Sequence, residues 1–112
     1  METKKLYIDL RILLNEVIDF NKGAFFGIRA LDPEVLNLWD QYNTIRNELI
    51  NSYPLFFREF PVLQYPEPYL ATSDSFYYEG TLIYKPEHFA PLRMTLEKML
   101  DTIQMVGKKE SA

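Results

Sequence analysis

Residues 32–52 read DPEVLNLWDQYNTIRNELINS, and the first three residues govern how the rest is read. The Asp32 carboxylate can accept from the free amides of a first helical turn. Pro33 at the next position loses nothing by lacking an N–H. Glu34 then sets a negative charge at the positive end of the helix dipole. Val35, Leu38, Trp39, Tyr42, Ile45 and Leu49 follow at three- and four-residue steps, with Ile50 beside them. The signal therefore opens an amphipathic helix that runs to about Ser52. Trp39, the only tryptophan, lies on the apolar stripe and is predicted to be buried.

The same period recurs on both sides of this stretch. Upstream, Leu6, Leu10, Leu13, Leu14, Val17 and Ile18 predict a helix over 5–20, and Asn21-Lys22-Gly23 offers a stop. The segment 24–31, AFFGIRAL, reads as a compact apolar connection with room for one short helical turn. Phe25, Phe26, Ile28 and Leu31 are expected to plug one end of the core, and Gly27 to mark a turn or a close approach. Downstream, Phe89, Leu92, Leu96, Met99, Leu100 and Ile103 form a third stripe. Pro86 suits a first helical turn. Pro91 either bends that helix or opens it, and Gly107 is the expected stop, with the tail frayed.

Pro54 breaks the central helix. Residues 52–60 predict a short restart with Leu55, Phe56 and Phe60 turned inward. The following stretch, 60–80, reads FPVLQYPEPYLATSDSFYYEG and carries six aromatic rings and three prolines with no helical period. It is read as a long irregular strap. Residues 76–84 are left open between a hairpin turning at Glu79-Gly80 and a continued loop. Three stripes that must share one interior give an all-α class. The expected architecture is a small bundle of three long helices plus one or two short ones, in a single domain over 1–112.

Composition narrows the function. The chain has 112 residues, 47% of them hydrophobic and 25% charged, enough for one core without staples. It has no cysteine, so disulfides, thiolate chemistry and cysteine-ligated metals are out. The net charge is −4, and residues 61–84 contain no Lys or Arg. Without a cationic stripe, nucleic-acid binding is disfavoured. The charges at Asp9, Arg11 and Glu16 argue against a signal peptide or membrane span at the N-terminus, and the expected compartment is the cytoplasm.

No constellation for catalysis emerges. His88 is the only histidine, which excludes paired-histidine metal sites, and it is read as a surface or capping residue at a helix start. Asp9, Glu16 and Asp19, and separately Glu97 and Asp101, read as solvated acidic faces. The serines lack the setting of a triad, and phosphate-binding glycine loops are missing. No catalytic, cofactor or metal residue is expected, and the chain is read as a non-enzyme.

The strap is the remaining candidate. Tyr65, Tyr69, Tyr77 and Tyr78 offer apolar bodies with polar tips, as interface anchors do. The expected partner is another protein chain, a second copy or a different one, and the strap's acidity favours a basic surface. The alternative is a regulatory domain that binds a small ligand between bundle and strap, in a pocket lined by Trp39 and tyrosines.

Overall fold

The computed structural model describes residues 2–71 and 80–111, and every side chain within them except those of Glu2, Phe26, Glu110 and Ser111. Three long helices dominate: α1 (Glu2–Gly23), α2 (Pro33–Ser52) and α4 (Pro86–Ser111). Between them come a 3-10 turn (Ala24–Phe26), β1 (Ile28–Arg29), the four-residue α3 (Pro54–Phe57), β2 (Tyr69–Leu70) and β3 (Leu82–Tyr84). The fold is a small, mostly helical bundle with a long loop, as the three stripes required.

The stripes meet in one interior. Leu6, Leu10, Leu13, Leu14 and Val17 of α1 join Val35, Leu38, Trp39, Tyr42, Ile45 and Leu49 of α2. Phe89, Leu92, Leu96, Met99, Leu100, Ile103 and Val106 of α4 complete the cluster. Removing each such side chain from water contributes roughly 1.5–3 kcal/mol, offset by the entropy of ordering the chain. Helix α1 packs mainly on α4 and then on α2, while α2 and α4 touch least.

Local capping places α2 as read. Glu34 N donates to Asp32 Oδ1 at 2.9 Å, and Pro33 opens the helix. Pro91 lies inside α4, which starts at Pro86, so the regular helix does not wait for the second proline. The helix also passes Gly107, the expected stop, and reaches Ser111. A helical glycine costs only about 1 kcal/mol relative to alanine. Lys108 and Lys109 complement the negative end of the dipole, and Lys109 Nζ stands 5.0 Å from the centre of the Phe56 ring.

The strap replaces a helix. It runs broadly antiparallel to α2, from Phe60 beside Arg46 to Tyr65 beside Asp40. Arg46 Nε donates to Phe60 O at 2.8 Å, and Tyr42 Oη donates to Pro61 O at 2.6 Å. The Asn43 amide both donates to Leu63 O at 3.0 Å and accepts from Leu63 N at 3.1 Å. Three helices and one extended segment give a rod of 57 × 20 × 18 Å, about two helix diameters across. Its radius of gyration, 16.0 Å, exceeds the roughly 13 Å of a spherical domain near this size.

A three-stranded antiparallel sheet of order β1-β3-β2 closes the end where α1 hands over to α2. The strand character of 82–84 is present, and its partners are Tyr69-Leu70 on one side and Ile28-Arg29 on the other. The hairpin weighed over 76–84 would turn at Glu79-Gly80, and its first arm and Glu79 lie outside the described residues.

Gly27 is a close approach, as expected. Its φ is 101°, and a Cβ there would lie 2.9 Å from Ile83 Cδ1 of β3. The predicted plug is different in detail. Phe25 and Leu31 are 69% and 55% exposed, Ile28 is half-buried, and the Phe26 side chain lies outside the described residues. Ala24, Gly27 and Ala30 are the buried residues here, and Ile83 of β3 occupies the space above Gly27. In the short restart, Leu55 is exposed and Phe57 is fully buried, while Phe56 and Phe60 are half-buried. A four-residue helix has no stripe from which to read its inward face. The inward residue is set by the Tyr53 and Phe60 rings, 6.5 and 5.6 Å from Phe57.

Candidate interaction surface

His88 organises the outer end of the strap. Lys85 precedes Pro86 at the first position of α4, which makes His88 the third. Its Nδ1 lies 2.7 Å from Lys85 N, and His88 N donates to Lys85 O at 2.9 Å. This is one half of a capping box, the side chain at the third position accepting from the cap amide, while the His88 amide is met by the Lys85 carbonyl and not by a side chain. A backbone N–H can only donate, so Nδ1 accepts and Nε2 carries the ring proton. Nε2 in turn donates to Glu67 O at 2.8 Å and ties the strap to α4. Of the two readings for His88, cap and surface, the cap is observed; the residue is buried.

Around it runs a chain of rings from interior to surface. Trp39 is 5.6 Å from Phe89 and 6.2 Å from Tyr84, centre to centre. Tyr84 is 5.1 Å from the His88 ring, and His88 is 4.2 Å from Tyr69. Trp39 is 3% exposed, so it is packed into the core as predicted rather than presented to a cleft. Burial raises the Tyr84 pKa; the Leu31 backbone facing the phenol opposes the rise, and the Glu67 charge adds to it. No described residue meets the Tyr84 hydroxyl with hydrogen-bond geometry. Leu31 itself is the one described non-glycine residue with positive φ, 64°.

Of the four tyrosines singled out, two are described. Tyr65 is 47% exposed, and its Oη donates to Asp40 Oδ1 of α2 at 2.7 Å. That hydrogen bond, followed by slight burial and the Asp40 charge, raises its pKa. Tyr69 is 49% exposed and lies on His88. The two rings are held by different helices, with Pro66-Glu67-Pro68 between them. Tyr77 and Tyr78 lie outside the described residues.

Sequence reasoning missed Asp40 as the partner of Tyr65 and His88 as the clamp on Glu67. Neither had a signal in the sequence, because Asp40 and Tyr65 are 25 residues apart and Glu67 and His88 are 21 apart. Among the described residues, no group of three His, Cys, Asp or Glu side chains could hold a metal ion, and no helix is long and apolar enough to cross a membrane. Searches of protein families, curated proteins and solved structures return no match to this chain.

Proposed function

We propose that this protein is a non-enzymatic contact module that binds another protein chain through the outer face of its strap. One observation carries the reading. Tyr65 and Tyr69 stand half-exposed on a backbone already immobilised by Tyr42, Asn43, Arg46 and His88. Aromatic side chains on a pre-ordered backbone give a partner contact area with little entropy left to lose. Two prolines flank the residue between them and stiffen the presentation further. Glu67 lies between the two rings and Asp40 beneath Tyr65, with no Lys or Arg over 61–84, so the complementary surface is basic. The engagement of both His88 ring nitrogens by backbone groups favours a structural role for that residue over proton transfer.

Tyrosine nitration read by mass spectrometry tests this. Tyr65 and Tyr69 are expected to react in the purified protein and to be protected in intact cells that make it. Equal reaction in both settings sinks the proposal.

A further inference from the structure

His88 is the only histidine, and among side chains histidine is the one that ordinarily changes charge between roughly pH 5 and 8. Its place in the clamp accepts one protonation state only. Nδ1 lies 2.7 Å from Lys85 N, a donor that cannot become an acceptor, and Nε2 donates the single ring proton to Glu67 O at 2.8 Å. An imidazolium has two N–H donors and no acceptor, so in the same place its Nδ1–H would face the Lys85 N–H. Turning the ring over presents C–H groups to both partners and cures nothing. The ring has little room to slide, being 8% exposed and packed on Tyr69 and Tyr84 with centres 4.2 and 5.1 Å away.

We infer that the clamp is a pH-sensitive latch: His88 holds the strap to α4 while its imidazole is neutral, and protonation swings the ring out, frees Glu67 and withdraws the support beneath Tyr69. The charged and titratable groups described around the ring do not reverse this. On the strap, Glu67 offers its carbonyl; its carboxylate is exposed, as is that of Glu87 on α4, and attraction between exposed charges is weak. From β2 and β3 come the phenols of Tyr69 and Tyr84, whose ring faces attract a cation only modestly. Lys85 places its ammonium on Phe25 O at 2.8 Å, and its charge opposes a second cation nearby. None of these groups stands at Nδ1, where the Lys85 amide is. Release is confined to the outer end, because Leu63 is held by the Asn43 amide, which does not titrate. The consequence for binding rests on the strap reading: a basic partner seats on the latched face and leaves as the pH falls. The freed imidazolium adds repulsion, since it puts a positive charge beside a surface that attracts a basic partner.

NMR of the free protein between about pH 7.5 and about pH 5.5 tests the latch. At the upper end the ring nitrogens of His88 should show Nδ1 bare and Nε2 protonated. On acidification the imidazolium signal is expected to grow while the Lys85 amide loses about tenfold of its protection, taken relative to the intrinsic exchange rate at each pH. Cross-relaxation between the His88 and Tyr69 rings should vanish in step, and Leu63 should keep its protection. In His88→Gln a carboxamide can accept from Lys85 and donate to Glu67 without titrating, so the loss at Lys85 should be absent. A ring that stays neutral to the lower pH overturns the inference, as does one that protonates with the Lys85 protection and the Tyr69 contact intact. So does an equal loss in His88→Gln; if that variant does not fold, the wild-type signals decide alone. No partner takes part in these measurements, and nitration of Tyr65 and Tyr69 at neutral pH does not depend on them, so the strap reading stands or falls separately.

Discussion

The three-helix interior and the strap sit side by side and are held by opposite means. In α1, α2 and α4 the side chains point at one another, and the backbone satisfies its own hydrogen bonds. Along 53–71 only Phe57 and Ala71 are buried, and it is the backbone that is gripped. Helix side chains reach across to the carbonyls of Phe60, Pro61, Leu63 and Glu67. The difference follows from the prolines. Over 61–68, Pro61, Pro66 and Pro68 leave the chain neither coiled nor paired with a strand, so its carbonyls need donors from elsewhere. Polar residues on α2 that look like ordinary solvent-facing positions, Asn43 and Arg46, supply them.

This contrast can be broken at its strong side first. Leu96→Ala in α4, fully buried, is expected to cost about 2–5 kcal/mol of global stability in urea unfolding. Hydrogen exchange should accelerate in all three long helices together. If only α4 loosens, the three stripes are not one cooperative interior.

The next effect tests where the two regions join, at Tyr42. Its ring belongs to the core and its hydroxyl holds Pro61 O. Burial pushes its pKa up to about 12 from 10.0, with the Arg46 charge opposing the rise. The native state therefore favours the neutral phenol. Below pH 10 both states are protonated and the contribution is whole. Above pH 10 the unfolded chain ionises first, and stability falls until native Tyr42 ionises near pH 12. The loss across that window is expected to be about 2–3 kcal/mol. Tyr42→Phe should remove most of this alkaline drop while starting from a lower stability at neutral pH. A variant with the same alkaline slope as the wild type would assign the drop to other tyrosines.

The smallest effect sharpens the contrast. Asn43→Ala removes both bonds to Leu63 and is expected to cost about 1–2 kcal/mol. Exchange should rise at Leu63 and its neighbours in the strap while α1 and α4 keep their protection. Equal acceleration everywhere would mean that the strap is part of the core's cooperative unit and not an attachment to it.

Most of the helical framework was legible because each long helix repeats its message. Losing one residue from the stripe Val35–Leu49 would leave five others naming the same face. The strap had no such redundancy. Tyr65 finding Asp40, and His88 finding Glu67, each depend on one contact between residues 25 and 21 apart. The short restart shows the same limit at small scale, since four residues gave no period with which to choose Phe57 over Leu55. The sheet escaped notice because two strands of two residues carry no alternation to detect.

From sequence alone come three apolar ribbons, their start at Asp32-Pro33, the burial of Trp39 and a proline-stiffened segment that cannot join them as a helix. These are set by neighbours three and four residues apart, where backbone geometry ties position to face. The path of the strap along α2, the use of His88 as a clamp and the pairing of 82–84 with 28–29 and 69–70 were decided only in the folded molecule. They depend on which unsatisfied backbone groups come within reach of which donors, and that is known only once the helices have packed.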